Sequence, residues 1–275
     1  MDLKSGYPWW AVRNGLMHAF PPLQQDLQCD VLVVGGGVTG ALIADELCGH
    51  GHDVAVIEQR DIGWGSTSAS TALLQYEIDT HLLELAEQYG ADAATVAYRA
   101  CAEALPALRD AARGLRGVDF QRMDSLYLAS RSRDVPRLMA EGDARRRAGL
   151  DARWQTPQRL REHFGVDAGG ALLTRQAARV DPYALTYGLL QRLQRRGCGV
   201  YDRTVLEALQ PGPRGVTART AAGAVIKARH VVLAMGYATQ HWLKPRVARN
   251  RSSYAFITDP IDAQVLGPLQ QTMVW

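Results

Sequence analysis

The pattern of apolar residues becomes regular near residue 29. The runs "CDVLVVG" from Cys29 and "HDVAVIE" from His52 are short and almost wholly apolar, and the stretch from Val38 to about Cys48 has helical spacing. Two short apolar runs separated by a helix predict parallel strands in a βαβ unit. Because both strands are apolar on both faces, we expect a parallel sheet with helices on each side.

Further along the chain, helical and strand patterns continue to alternate. Helices are predicted over residues 79–112, 134–148 and 182–196. Strands are predicted over residues 124–130, 199–209, 214–219, 224–228 and 230–236. The last helix begins with Asp181 as its cap and Pro182 at its first position. Residues 1–28 are rich in aromatic residues and proline and show no period, so we expect an ordered arm there. The alternation predicts the α/β fold class.

A glycine-rich turn follows the first predicted strand. In "VVGGGVTGAL", which begins at Val33, the residues Gly35, Gly37 and Gly40 satisfy the G-x-G-x-x-G spacing of dinucleotide-binding turns. Glu58 ends the second strand, where a carboxylate accepts ribose hydroxyls and repels a 2′-phosphate, which disfavours NADP. The alternative is a glycine-rich turn in a non-binding α/β protein, with Glu58 merely exposed at the end of a strand.

The loop after Glu58 is rich in small and hydroxyl-bearing residues. The stretch "GWGSTSAST", from Gly63, contains two glycines and five Ser or Thr residues. Such a loop can offer backbone N–H groups and hydroxyls to the pyrophosphate and to the isoalloxazine end of FAD, although the fingerprint alone does not separate NAD from FAD. The alternative interpretation is a solvated Ser/Thr linker.

Composition excludes several classes of protein. A formal net charge of +3 is too small a bias to indicate binding to nucleic acid or to an anionic membrane. No run approaches the length of a membrane span, and the N-terminus has no signal-peptide pattern. The cysteines form no C-x-x-C pair, so neither a redox dithiol nor a zinc site is indicated, and the histidines show no metal-binding spacing. We expect a cytoplasmic protein without a metal.

Four segments in order resemble a known family. The segments are "DVLVVGGGVTGALIADEL", "VAVIEQRDIGWGSTSAS", "ARVDPYALTYGLLQRLQRRG" and "VVLAMGY", which together span most of residues 29–240. They resemble the FAD-dependent oxidoreductases of the D-amino-acid-oxidase type, a group that contains glycine, sarcosine and γ-glutamylputrescine oxidases. The resemblance implies FAD as cofactor and oxidation of a C–N bond in a small amine or amino acid. Hydride then passes to the flavin, and O₂ or another electron acceptor reoxidises it.

The resemblance also implies a set of cofactor-binding residues. They are Gly35, Gly37, Val38, Thr39 and Gly40 in the pyrophosphate turn, Glu58 at the ribose, Gly65, Ser66 and Thr67 near the flavin, Val205 at the adenine, and Ala234 and Gly236 where a strand ends beside the cofactor. The chain departs from the family at residues 69–71, where Ala-Ser-Thr replaces the usual Asn or Arg-Asn.

The resemblance implies a Rossmann-like FAD-binding domain, a doubly wound and mostly parallel sheet, with an inserted α+β substrate domain. We expect the arm at 1–28, the FAD-binding domain at 29–115 and 180–240, and a partial substrate domain at 116–179 and 241–275. Family members continue past the equivalent of Trp275, so the chain is expected to be C-terminally truncated.

No catalytic residue is predicted, because an amine that reacts in its neutral form needs no dedicated base. Tyr127 and Tyr254 are candidate pocket residues, with packed aromatics as the alternative, and Arg249 and Arg251 are candidate ligands for a substrate carboxylate, with surface arginines as the alternative. Two other functions stay open: a truncated, non-catalytic module that binds FAD or ADP, and an NAD-dependent dehydrogenase.

Overall fold

A computed structural model describes residues 6–245, 247, 249 and 254–275. The strands are β1 (Leu27–Val34), β2 (Val54–Ile57), β3 (Leu73–Gln75), β4 (Gln121–Leu128), β5 (Arg153–Gln155), β6 (Ala171–Arg179), β7 (Gly199–Tyr201), β8 (Leu206–Gly212), β9 (Gly215–Thr220), β10 (Val225–Leu233) and β11 (Thr272–Val274). The helices are α1 (Trp9–Asn14), α2 (Val38–Gly49), α3 (Leu82–Tyr89), α4 (Ala91–Ala112), α5 (Val135–Arg147), α6 (Pro157–Arg159), α7 (Pro182–Arg195) and α8 (Ala263–Leu266). Within the residues described, no helix combines the length and the apolar character that a bilayer crossing requires.

The chain forms two compact units, and the first contains the predicted βαβ pattern. This unit 1 comprises Met1–Thr71, Gly114–Val118 and Asp181–Phe256. Its six-stranded sheet has the order β7-β2-β1-β10-β9-β8, in which β7, β2, β1 and β10 are parallel and the last two pairings are antiparallel. The predicted α/β class with a mostly parallel sheet is therefore confirmed.

The two faces of the unit 1 sheet are covered differently. On one face, Gly40 of α2 lies over Val33, and α2 packs against α7. On the other face, Leu32 and Val34 join a buried cluster that also contains Leu23 of the arm and residues of β8, β9 and β10. The sequence predicted helices on this second face as well, and among the described members of that cluster none is helical. The arm residue Leu23 therefore adds apolar cover to the face that these strands form.

The described part of the N-terminal arm, from residue 6 on, makes hydrogen bonds to distant segments of unit 1. The sequence showed no period here, but residues Trp9–Asn14 form the short helix α1. The Phe20 side chain is fully buried, its N–H donates to Asp202 Oδ2 at 3.0 Å, and its carbonyl accepts from Arg203 at 2.6 Å. Long-range contacts of this kind order the arm, and they cannot be inferred from local sequence pattern.

Unit 2 contains a second, mainly antiparallel sheet. It comprises Ala72–Arg113, Asp119–Val180 and Ile257–Trp275. The strand order is β11-β4-β6-β3, with β5 also paired to β6, and only the β11–β4 pairing is parallel. The short strand β3 pairs with β6, so residues 72–113 belong to this unit, whereas the sequence-based boundary placed them with the cofactor domain.

A charged cluster is buried inside unit 2. The side chain of Arg145 on α5 is fully buried, and its Nε donates to Glu141 Oε1 at 2.7 Å. The Glu141 carboxylate also accepts the N–H groups of Leu82 and Leu83, at 2.8 and 3.1 Å, at the start of α3. Glu77 lies 3.7 Å from the guanidinium. This ion cluster therefore fastens the start of α3 to α5.

Candidate functional site

The turn between β1 and α2 brings three backbone segments close together. Gly35 has φ +117° and donates its N–H to the Ile57 carbonyl at 2.8 Å. A Cβ at Gly35 would lie 2.4 Å from the Ala234 carbonyl oxygen, and a Cβ at Gly40 would lie 1.9 Å from the Gly35 carbonyl oxygen. Two of the motif glycines are therefore required by close backbone packing within the protein itself, whatever the turn binds.

The Glu58 carboxylate points toward the glycine turn. Its Oε2 accepts the N–H of Gly36 at 2.8 Å, and its Oε1 accepts the N–H of Arg60 at 3.0 Å. Its backbone is held on both sides, since Glu58 N–H donates to Tyr201 O at 2.9 Å and Thr204 N–H donates to Glu58 O at 2.7 Å. Glu58, which directly follows β2, is thus fixed beside the turn by four hydrogen bonds.

The environment of Glu58 changes its proton affinity. Burial raises the pKa of this carboxyl above the usual glutamate value, while the N–H groups of Gly36 and Arg60 act in the opposite direction. A carboxylate oxygen has room for two acceptor contacts, and each oxygen of Glu58 has one backbone donor. Further donors, such as the two hydroxyls of a ribose, can therefore still be accepted.

The Ser/Thr-rich loop packs against the start of α2. The hydroxyl oxygen of Thr67 accepts the N–H of Val38 at 2.9 Å, and a Cβ at Gly37 would lie 3.2 Å from the same oxygen. Ser68 is fully buried and donates its hydroxyl to Gly65 O at 2.9 Å. The loop is therefore a folded 3₁₀ turn over Ser66–Ala69 that caps the helix, and not a solvated linker.

The remaining predicted positions also lie around the turn. Val205 follows the residue whose N–H bonds the Glu58 backbone, its side chain is exposed, and its carbonyl accepts Ala221 N–H at 2.9 Å. Ala234 continues β10 and donates its N–H to Val34 O at 2.7 Å. Gly236 has φ +56° and begins a 3₁₀ turn. Thr39, in the first turn of α2, is exposed.

The carboxyl ends of β1, β2 and β10 therefore meet at the amino end of α2. The helix has no N-cap side chain of its own, since Gly37 occupies that position. A helix N-terminus presents backbone N–H groups and a partial positive charge, which suit a phosphate group. With an acid nearby for sugar hydroxyls, the arrangement suits the ribose and the diphosphate of an adenosine diphosphate.

Several residues of this arrangement were not singled out from sequence. Gly36 donates to Glu58, and a Cβ there would lie 2.4 Å from Ile62 Cδ1 and 2.9 Å from Glu58 Cβ. Trp10 of α1 donates its indole N–H to Ser70 O at 2.8 Å, at the end of the Ser/Thr loop. The sequence did contain a signal for Gly36, because a fourth glycine inside a three-glycine motif is unexpected. Trp10 had none.

The four candidate substrate residues lie in different environments. Tyr127 stacks on Trp275 with ring centroids 4.0 Å apart, and its hydroxyl lies 2.8 Å from His81 Nε2, so it is packed within unit 2. Tyr254 is exposed over 88% of its surface. Arg249 is also exposed, and Arg251 lies outside the described residues.

Comparison with known proteins identifies the family. Residues 30–274 match the DAO family, described as FAD dependent oxidoreductase, and the chain belongs to it. The resemblance inferred from the four sequence segments is thereby confirmed, as is FAD as the cofactor of the family.

The relatives include enzymes of several kinds. The chain is 27% identical to γ-glutamylputrescine oxidoreductase of Escherichia coli K12, over 84% of this chain and 54% of the relative. It is also 27% identical to a Bacillus subtilis protein named provisionally as the Rieske 2Fe-2S iron-sulfur protein YhfW, over 82% of this chain and 42% of the relative. The crystal structure of glycine oxidase from Geobacillus kaustophilus aligns with a TM-score of 0.63 and 26% identity, over 78% of this chain and 57% of the other. The chain thus spans about half the length of these relatives.

The groups at the turn suit the ADP half of FAD. Glu58 faces inward with acceptor capacity left, and Gly37 adds no side chain above the start of α2. Thr67 occupies the N–H of Val38, so a phosphate would meet the neighbouring N–H groups of the helix or share that donor.

Proposed function

We propose that this chain binds FAD at the β1–α2 turn and belongs to an oxidoreductase that oxidises a C–N bond of a small amine or amino acid. One observation carries the proposal: Glu58, the glycine turn and the Thr67 loop converge at the amino end of α2. The named activities of the related γ-glutamylputrescine oxidoreductase and glycine oxidase support the substrate class.

The roles of the chain's own residues follow from their donors and acceptors. Glu58 accepts hydrogen bonds from the ribose hydroxyls and so positions the sugar beside the glycine turn. The first N–H groups of α2 bind the pyrophosphate, and the backbone of Val205 binds the adenine edge. When bound, FAD supplies the acceptor for a hydride from the carbon next to the substrate nitrogen.

The first test is the identity of the bound cofactor. Purified chain is expected to show flavin absorption or to take up added FAD, and mass measurement of the released compound should identify FAD. Titration with NADH is the matched comparison, because an NAD-dependent dehydrogenase would bind NADH and no flavin. A colourless chain that binds neither FAD nor ADP would contradict the proposal.

The second test separates an enzyme from a binding module. The chain loaded with FAD is mixed anaerobically with glycine, sarcosine, proline and putrescine derivatives, and flavin bleaching is recorded. Bleaching supports amine oxidation, whereas stable FAD binding without bleaching by any amine indicates a non-catalytic module. Reoxidation is then followed with O₂ and with a one-electron acceptor, since one relative is named as an iron–sulfur protein.

A further inference from the structure

Two cysteines that are 150 residues apart in sequence meet in unit 1. Cys48 lies in the last turn of α2, and Cys198 immediately precedes β7. Both are free thiols, and their sulfur atoms are 3.2 Å apart, with Cys198 donating to Cys48. The absence of a C-x-x-C motif argued against a redox dithiol, but the fold brings two thiols together that the sequence separates.

Solvent reaches this pair through a surface cleft. The cleft has a volume of about 460 Å³ and is lined by Cys48, Gly51, His52, Asp53, Arg196, Gly197 and Cys198. Cys48 is partly exposed, whereas Cys198 is nearly buried. Both residues line the cleft, and Cys48 is the more exposed of the two, so it is the more accessible to a small polar reagent.

The surroundings leave room for the two sulfurs to approach. A disulfide requires an S–S distance of about 2.05 Å, so the pair must close by roughly 1 Å. Cys48 is followed by Gly49 and Gly51, and Cys198 is preceded by Gly197. A Cβ at any of these three glycines would meet no heavy atom within 4 Å. Side chains therefore do not crowd the glycines that flank the two cysteines.

We propose that Cys48 and Cys198 are an oxidative modification site, which hydrogen peroxide or another hydroperoxide converts to a disulfide. In the first step the sulfur of Cys48 attacks the peroxide, an S–O bond forms, the O–O bond breaks, and water or an alcohol leaves. In the second step the sulfur of Cys198 attacks the Cys48 sulfenic acid, the S–S bond forms, the S–O bond breaks, and the Cys198 proton leaves with the second water. The two thiols supply the two electrons that reduce the peroxide.

Thiol chemistry assigns the order of the two residues. Burial raises the pKa of the Cys198 thiol, which makes it the poorer first nucleophile. Cys48 is then the residue that reacts with peroxide, and Cys198 is the resolving residue. An external dithiol reverses the reaction by exchange. The site lies at the opposite end of the twelve-residue helix α2 from the glycine turn, so it does not depend on FAD binding there.

The experiment uses the full chain and a thiol count. Untreated chain should contain four reactive thiols after denaturation, in agreement with its four cysteines. After brief treatment with a small excess of hydrogen peroxide, we expect two, a non-reduced digest that contains one peptide pair joining Cys48 to Cys198, and recovery of four thiols with dithiothreitol. Cys101→Ser should still lose two thiols, whereas Cys48→Ser and Cys198→Ser should form no intramolecular crosslink.

The wild-type digest decides the question even where a variant folds poorly. Retention of all four thiols, oxidation of Cys48 to a sulfinic acid without a crosslink, or a disulfide that involves Cys101 would each overturn the proposal. The crosslink closes a long loop, so the melting temperature of the oxidised chain should exceed that of the reduced chain by about 5–15 °C. Cys48→Ser should show no such difference.

Discussion

The hydroxyl oxygen of Thr67 lies 2.9 Å from the backbone nitrogen of Val38 and accepts its N–H. Gly37, at the N-cap position of α2, has no side chain to do this, so the cap comes from a loop 29 residues further along the chain. The same contact holds the Ser/Thr loop against the turn that is proposed to bind the pyrophosphate. The Ser/Thr loop therefore also serves as the N-terminal cap of α2.

Replacement of Thr67 by Val should destabilise the chain. The substitution keeps the shape of the side chain but leaves the Val38 N–H without its acceptor, which costs about 1–2 kcal/mol in the free energy of unfolding. Chemical denaturation measures the change. Thr71→Val is the matched control, because Thr71 is exposed at the end of the same loop. Equal stability of Thr67→Val and wild type would show that the cap contributes nothing.

Replacement of Glu58 by Gln should weaken FAD and ADP binding. The amide keeps one acceptor oxygen and loses the charge, so we expect a loss of about 1–3 kcal/mol in binding free energy, or about fivefold to 150-fold in Kd. Calorimetry or flavin fluorescence measures it. Glu46→Gln is the control, since the Glu46 side chain is exposed on α2 and forms an ion pair with His50. Unchanged affinity in Glu58→Gln would remove Glu58 from the ribose site.

The pH dependence of FAD binding should reveal the same carboxyl. Burial raises the pKa of Glu58, so on acidification affinity should begin to fall at a higher pH than for an ordinary glutamate. In the chain without FAD, the folded state holds this proton more tightly than the unfolded state. The contribution of Glu58 to unfolding free energy therefore decreases as pH rises from the ordinary glutamate pKa through the raised one. Both slopes should disappear in Glu58→Gln.

The local pattern of apolar and polar residues was enough to predict the helices and strands around the turn. The apolar runs predicted β1 and β2, the spacing predicted α2, and Asp181 caps α7 by accepting N–H groups of Tyr183 and Ala184, as expected. These features depend on neighbouring residues. The predicted strands at 224–228 and 230–236 are instead one strand, β10, because its exposed Lys227, Arg229 and His230 interrupt the apolar pattern without ending the pairing with β1.

Contacts between distant segments could not be predicted in this way. Thr67 was expected near the flavin because of a family resemblance, yet its bond to Val38 follows only from the folded loop. The same holds for Trp10 and Ser70, and for the sulfur contact of Cys48 with Cys198. Each joins residues whose types are common in many roles, so only three-dimensional proximity distinguishes them.

Gly40→Ala tests whether the third motif glycine is needed for packing. Its Cβ would lie 1.9 Å from the Gly35 carbonyl oxygen, a backbone atom that cannot rotate away, so α2 would have to move from β1. We expect a loss of about 3 kcal/mol in unfolding free energy, with weaker FAD binding as a consequence. Gly49→Ala, at the other end of α2, meets no atom within 4 Å and should leave stability unchanged or slightly higher. Similar effects in the two variants would contradict the packing argument.

Arg145→Met tests the buried ion cluster of unit 2. The substitution keeps an apolar stem between the rings of Tyr98 and Tyr76, whose centroids lie 5.4 and 5.8 Å from the guanidinium carbon, but removes the charge beside Glu141. Burial already raises the pKa of Glu77, and the Arg145 charge opposes that effect. Without Arg145, the buried carboxyl of Glu77 must either stay charged without a cation beside it or take up a proton.

The expected cost of Arg145→Met is about 3–5 kcal/mol in unfolding free energy, because one partner of a buried pair is removed and the other remains. Burial raises the pKa of Glu77 and Arg145 opposes that effect, so without Arg145 the Glu77 carboxyl would favour protonation and the loss should be smaller at pH 5 than at pH 8. Arg147→Met, two positions along α5 and exposed, is the matched control and should change stability by about 0.5 kcal/mol or less. A loss that does not vary with pH would mean that packing of the arginine side chain, and not its charge, holds α3 to α5.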